Sequence, residues 1–394
     1  MRQVGRFNLK IWQIMLGGAV AVIVAGQITP WDALLAINPD VMLFLFGMFI
    51  VGQALVASGW LFSIASRVFG RTKNTDQLVL AILFGMGILS ALLMNDTLAI
   101  IGTPLVLGIA SRSKISPKLL LLTLAIAITT GSVMSPIGNP QNLIIAVNSG
   151  MASPFVMFIA YLFVPTLVCL GIAYLVLRFF YRDEFSSRTF VQDGGAPHDE
   201  PLARLAQCSI LIIIVLAGAN IAASLMTGVI IIPLPFIALC ATAPIILFSP
   251  RRVEMIKTID WCTLVFFAAL FVLMESVWQS GFFQALVSSG SVTSVPALLA
   301  TSVVVSQFIS NVPFVALFLP MIMQAGGTPS QMMALAAGST IAGNLTILGA
   351  ASNVIIVQNA EKQGQTLTFF EFARVGVPLT VVQVLVYWVF LGMG

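Results

Sequence analysis

The chain has 394 residues, of which 59% are hydrophobic and 8% charged, and its mean hydropathy is +1.05. A water-soluble domain needs about a quarter of its residues charged to cover its surface, so a soluble enzyme, a disordered chain and a secreted disulfide scaffold are excluded and the solvent is lipid. The net charge of +4 is explained by where the cations sit, not by nucleic-acid binding.

A membrane-crossing helix needs about 20 apolar residues. Such runs lie, in chain order, at 9–28, 41–66, 119–147, 154–180, 205–226, 230–248, 263–286, 332–357 and 372–390. Two others, 77–110 and 296–324, are too long for one crossing. Polar residues interrupt each near its middle, Asn95-Asp96-Thr97 and Ser310-Asn311-Val312-Pro313, so each is expected to be a hairpin. With nine crossings and two hairpins, all 18 Lys and Arg residues fall on one side. The opposite connections (30–40, 148–153, 227–229, 287–295, 325–331) hold none. The positive-inside rule then places the N-terminus in the cytoplasm and keeps the first run as a retained helix, not a cleaved signal. The expected fold is an all-α polytopic membrane protein of nine to ten spans plus two hairpins, in a prokaryotic inner (plasma) membrane. The hydrophilic linker 182–204 holds the sole His198, a solvated loop residue. Cys169, Cys208, Cys240 and Cys262 are scattered and form neither a zinc motif nor a disulfide framework, so they are expected to pack.

The two halves of the chain resemble each other. Phe44, Phe49, Ser58 and Gly59 match Phe266, Phe271, Ser280 and Gly281 at an offset of 222. Asn95 and Pro104 match Asn311 and Pro320 at 216; Gly138, Asn142, Ile144 and Ile145 match Gly349, Asn353, Ile355 and Ile356 at 211. By the charge map one hairpin opens to the cytoplasm and the other to the outside, which requires an inverted-topology duplication and places a solute site near the membrane midplane. The expected divisions are an N-terminal helix (1–30), a first repeat (38–181), a linker with two connecting helices (182–259) and a second repeat (260–394).

Segment 119–147 holds 29 residues, about 43 Å as a helix against a hydrocarbon core of about 30 Å. Its middle, 130–142, has two prolines and two glycines, and its repeat partner 343–353 is equally rich in glycine and polar residues. Both are expected to break, since unwound backbone at membrane depth is tolerated where it is buried in protein or lines a cavity. Freed carbonyls can hold a cation and half-helix N-termini can face an anion or a polar solute. Asp96 lies at a hairpin tip with no cation in the interior of any predicted span to pair with. It must be protonated or neutralised by a bound ion, which couples its charge to proton or sodium. Glu275, which matches Gln53, is the second intramembrane acid and a further coupling candidate, and Asp260 is expected to cap its helix. No buried Arg is available to clamp a carboxylate, which favours a neutral or weakly charged solute, or a cation.

Met94-Asn95-Asp96-Thr97 running to Thr103-Pro104, the stretch 135–142, and Ser310-Asn311-Val312-Pro313 resemble the ion transporter superfamily over nearly the whole chain. The tips look most like its arsenite permease (ArsB) branch, related to the sodium/proton antiporter (NhaD) and divalent anion:sodium symporter branches. The symporter branch carries Ser-Asn-Thr at both tips. Here Met94 stands for the first Ser, Asp96 is inserted before Thr97, and Val312 replaces the second Thr. The resemblance implies a scaffold with a moving transport body and no cofactor, and leaves room for a homodimer and a cytoplasmic ATPase partner. It also implies exchange of arsenite or antimonite for protons. Asp96, with Glu275 as the second candidate, would carry the coupling ion. Asn95, Thr97, Ser310 and Asn311 at the tips would line the cavity, with Ser135, Asn139, Asn142, Asn344, Thr346, Ser352 and Asn353 at the breaks. The alternatives are a sodium/proton antiporter or a sodium-coupled anion or dicarboxylate carrier on the same fold. A channel or an intramembrane hydrolase is the more distant rival, and the chain has no nucleophile elbow or metalloprotease helix for the latter.

Overall fold

A computed structural model describes residues 2–4, 7–185, 199–227, 232–281 and 294–392. Linker residues 186–198 with His198, most of the connections 227–229 and 287–295, and the end of run 263–286 lie outside the described residues. Arg2–Val4 (β1) pairs antiparallel with Phe7–Leu9 (β2), a strand pair the apolar pattern does not foreshadow. α1 (Ile11–Val24) follows, then the short α2 (Pro30–Ala36), whose cap Thr29 accepts from Asp32 N–H at 3.1 Å. α3 (Pro39–Ser58) is capped by Asn38, which accepts from Val41 N–H at 3.1 Å. The expected continuous run 41–66 stops at Gly59, whose φ of 67° is left-handed, and divides into α3 and α4 (Trp60–Gly70).

The first hairpin is α5 (Thr75–Leu92) and α6 (Asn95–Ser113), and the first broken helix is α7 (Pro117–Ser132) and α8 (Pro140–Asn148). α9 (Pro154–Phe180), α10 (Glu200–Thr227), α11 (Leu234–Phe248), α12 (Arg252–Thr258) and α13 (Trp261–Gln279) lead into the second hairpin, α14 (Val295–Ile309) and α15 (Asn311–Gln324). The second broken helix is α16 (Pro329–Ile341) and α17 (Ala351–Glu361), joined by the 3-10 turns Ala342–Asn344 and Ile347–Gly349. α18 (Phe369–Gly392) ends the chain's described part. Among the described residues six helices are long and apolar enough to cross a membrane, at 39–58, 75–92, 154–180, 200–226, 261–279 and 369–392. The chain is a multi-pass, membrane-embedded protein.

Packing divides these helices into two bodies. In one, α11 lies along α3 and α1 along α13, with α10 against both α3 and α11. In the other, α5 packs on α7 and α14 on α16. There α6 packs on α17 and α15 on α8, and α9 meets α18 between the two broken helices. The contacts α3–α11, α5–α7 and α8–α15 thus have counterparts in α13–α1, α14–α16 and α6–α17, whereas those of α10 have none. The correspondence reaches upstream of residues 38 and 260, because α2 and α12, like the starts of α3 and α13, stand 222 positions apart.

The helix ends gather as the charge map requires. At the basic face Asp76 pairs with Arg178 at 2.9 Å, Lys118 pairs with Glu371, and Arg251 pairs with Asp199 at 3.2 Å. At the face without cations Asn38 meets Asn148, and Ser276 donates to Gln27 at 3.4 Å. Arg251 also holds the Glu254 carboxyl below its usual range by direct hydrogen bonds. Cys169 is buried, and no disulfide forms among the described residues.

α5 and α7 approach until a Cβ on Gly131 would lie 2.1 Å from Gly87 O, whereas one on Gly171 in α9 would meet nothing within 4 Å. Gly131→Ala is therefore expected to cost at least about 1–3 kcal/mol by overpacking. The detergent-solubilised variant should melt clearly below wild type, with Gly171→Ala unchanged or higher as the control.

Candidate functional site

Helix breaks inside lipid leave carbonyls without their i+4 donors, and each must find another. At the first break one side chain does most of this. Asn142 Nδ2 donates to Ser132 O at 3.1 Å, Val133 O at 3.3 Å and Ser135 O at 3.0 Å. Asn139 caps α8, accepting from Asn142 N–H at 2.9 Å, while its Nδ2 donates to Ser132 Oγ at 3.0 Å. Thr340 of α16 crosses from the other repeat to donate to Asn142 Oδ1 at 3.2 Å, and accepts from Asn139 and Gln141. A Cβ on Gly138 would lie 2.7 Å from Ser132 O and 2.8 Å from Ser90 O, so the chain passes here only without a side chain.

The second break repeats the device at equivalent positions. Asn353 Nδ2 donates to Gly343 O at 2.6 Å and Thr346 O at 3.4 Å, the counterparts of Ser132 and Ser135. Thr346 Oγ1 donates to Gln307 Oε1 at 2.8 Å, and Gln307 Nε2 reaches Ala342 O at 2.8 Å, tying α14 to the break. Asn344 Nδ2 donates to Thr130 Oγ1 and Gln383 Oε1, both at 2.9 Å, linking this break to α7 and α18.

Here the two halves differ. Thr340 satisfies Asn142 Oδ1, but the equivalent atoms Thr129 Oγ1 and Asn353 Oδ1 are buried without a protein partner. So are Asn344 Oδ1 and Ser352 Oγ. Both hairpin tips carry the same feature, with Asn95 Oδ1 and Asn311 Oδ1 buried and unpartnered. A buried acceptor left without a donor costs about 1–3 kcal/mol.

The first tip is pinned by Asn95 N–H to Gly138 O at 3.1 Å and seats Thr97 against α3, where a Cβ on Gly52 would lie 2.5 Å from Thr97 Oγ1. Asp96 occupies the first turn of α6, is partly exposed, and has no hydrogen bond or ion pair among the described residues. Among the described residues the Asp260 carboxylate at the start of α13 is the charge that bears on it. Asp260 caps that helix as expected, accepting from Thr263 N–H at 3.0 Å. Glu275 accepts from Gln279 Nε2 at 2.9 Å, one turn along α13. At the second tip Ser310 is exposed with φ 72° and ψ 159°, a conformation that suits glycine and costs other residues about 1–3 kcal/mol.

The expected break residues thus surround two linked polar centres, each joined to its own hairpin. Ser135 contributes chiefly its carbonyl, and its hydroxyl accepts from Ile137 N–H at 3.3 Å. Thr340, Gln141, Gln307 and Gln383 were not among the expected site residues. Gln307 and Gln383 carried a signal in the sequence, as amides inside otherwise apolar helices; Thr340 stands 211 positions from Thr129.

Residues 5–331 match the family described as citrate transporter. An uncharacterized transporter of Mycobacterium tuberculosis (strain H37Rv) is 29% identical over 94% of this chain and 90% of its own length. The silicon efflux transporter of rice, Oryza sativa subsp. japonica, is 26% identical over 93% and 89%. The crystal structure of the Alcanivorax borkumensis YdaH transporter shares the fold, with a TM-score of 0.61 at 18% identity over 95% of this chain and 87% of that one.

Asn142→Asp would set a carboxylate against three carbonyl oxygens in place of a donor. Loss of a buried hydrogen-bonded centre of this kind costs about 3 kcal/mol or more, so little folded protein should survive size-exclusion chromatography. Ser310→Gly, which relieves the positive φ, should instead raise the melting temperature.

Proposed function

The chain belongs to the citrate transporter family, and from that premise we propose that this membrane transporter exports arsenite or antimonite in exchange for protons. The observation that carries the reading is a carboxylate, Asp96, with no cationic partner among the described residues, at a tip whose neighbouring amide oxygen, Asn95 Oδ1, lacks a donor. Such a carboxylate at membrane depth is stable when a proton or a cation neutralises it, which ties its state to an ion gradient.

The donor set bears on the solute. Neither tip and neither break contains Lys, Arg or His. A tricarboxylate such as citrate would find no side-chain cation here and would depend on helix N-termini, amides and co-bound cations to offset its charge. Arsenite at neutral pH is chiefly the uncharged trihydroxide, and its hydroxyls can donate to open amide oxygens such as Asn95 Oδ1, Asn311 Oδ1 and Asn353 Oδ1. The rice relative is a silicon efflux transporter, which agrees with outward movement of a small inorganic solute. Asp96 protonated from outside and solute arriving from the cytoplasm would compete for one cavity and so exchange. Glu275 remains the second candidate for the coupling ion, on α13 where that helix packs against α15. Sodium is the alternative coupling ion, favoured by the open oxygens Asn353 Oδ1 and Ser352 Oγ, a donor type that hard cations accept.

Internal pH in proteoliposomes on addition of arsenite tests the proposal. Wild type should show arsenite-driven proton movement and Asp96→Asn should lose it while folding normally. Full proton-coupled flux in Asp96→Asn would remove Asp96 from the mechanism. Silence toward arsenite with proton flux on adding sodium would move the protein to sodium/proton exchange.

A further inference from the structure

The side-chain hydrogen bonds that cross between described residues of the two bodies lie at one face. Asn38 Nδ2 at the start of α3 donates to Asn148 Oδ1 at the end of α8, at 2.7 Å. The Ser153 and Ser224 hydroxyls join the start of α9 to the end of α10. Both links sit at the face without cations, the outer face by charge placement. At the cytoplasmic face Asp76–Arg178 and Lys118–Glu371 bind within one body and Asp199–Arg251 within the other.

An independent observation agrees. The first tip, whose hairpin is rooted at the cytoplasmic face, is buried, with Asn95 and Thr97 at 7% and 8% exposure. At the second tip, whose hairpin is rooted at the outer face, Asn311 is as buried as Asn95, at 6%, but the residues leading into the tip are open: Ile309 is 37% exposed where the equivalent Leu93 is 2%, Phe308 is 78% exposed, and Leu348 in the adjoining break is 68% exposed. A tip rooted outside and exposed at its apex opens toward the cytoplasmic half.

We propose that Asn38–Asn148, with the Ser153–Ser224 hydroxyl pair beside it, is an outer latch that holds the carrier with its site open to the cytoplasm. The latch must part before the site can open outward. Asn38 is suited to this because its Oδ1 is spent on the α3 cap, leaving its Nδ2 free to bridge. The second body thus docks on a group that α3 already holds in place. The inference rests on alternating access by a two-body transporter and not on the identity of the solute.

The test uses the full-length protein with Cys208, Cys240 and Cys262 replaced by serine and Leu348→Cys added as reporter. A membrane-impermeant maleimide is applied to right-side-out and inside-out vesicles. Leu348→Cys should react from the cytoplasmic side and be slow from outside. Asn38→Ser keeps an oxygen for the α3 cap but removes the bridge; Asn148→Ala removes the other partner. Each should raise the outer labelling rate by about threefold to tenfold, the change in the minor population that loss of one hydrogen bond brings, while the cytoplasmic rate, set by the major state, changes little. Labelling of Leu348→Cys from the outer side alone, or rates unmoved by both latch variants, would overturn the latch. Because this readout needs no solute, a negative arsenite assay beside a positive labelling shift would sink the solute assignment and leave the latch standing.

Discussion

Everything in this fold depends on one obligation, that peptide groups freed inside lipid be hydrogen-bonded by protein. Two helices are cut at membrane depth, and in each a single asparagine near the start of the second half-helix reaches back to the carbonyls the cut exposes. Asn142 holds three and Asn353 two, at equivalent positions of an inverted repeat. An asparagine serves because its short amide carries two donors and its oxygen remains available for a partner. The close glycine approaches at 131 and 138 and the cross-repeat threonines follow from the same requirement, since tied breaks must sit close to the helices that tie them.

The symmetry fails locally at the candidate site. The first break is saturated, with Thr340 bonded to Asn142. The equivalent Thr129 and Asn353 atoms are each left open, as are the amide oxygens at both tips. A transporter needs polar atoms that are buried yet unsatisfied by protein, because a site satisfied by its own chain has nothing to offer a solute. The strained backbone at Ser310 stands beside one of these atoms, Asn311 Oδ1, so both costs to stability fall at the same tip.

Hairpins, broken helices and the sidedness of the basic residues were legible in the sequence because each leaves a composition signal. Polar residues at 95–97 and 310–313 interrupt long apolar runs, and Pro and Gly mark the first break. What stayed hidden was of two kinds. The end of α3 at Gly59 produces no break in hydropathy, because glycine is compatible with an apolar run, and the short α2 and α12 lie in the connections between runs, where a one-to-two-turn helix leaves no membrane-length signal. The links made by Thr340, Gln307 and Gln383 depend on which helices become neighbours, which spacing within one segment cannot reveal. Asn142 and Asn353 stood out as a matched pair, but their use as carbonyl ties emerges only from their distances.

The packing of α11 on α3 and of α1 on α13 also sets an order of events during synthesis. α3 finds its long packing partner α11, and α1 finds α13, only after the chain has been made well past its midpoint. At ribosomal rates of about 5–20 residues per second, the face of α3 that receives Thr242 and Ala238 waits roughly 10–40 s in the bilayer with lipid or other helices as its neighbour. That face is narrowed by Gly47, where a Cβ would lie 2.9 Å from Ala238 O. In lipid such a groove, cut by a small residue, lets a helix come close, and α11 fills it on arrival.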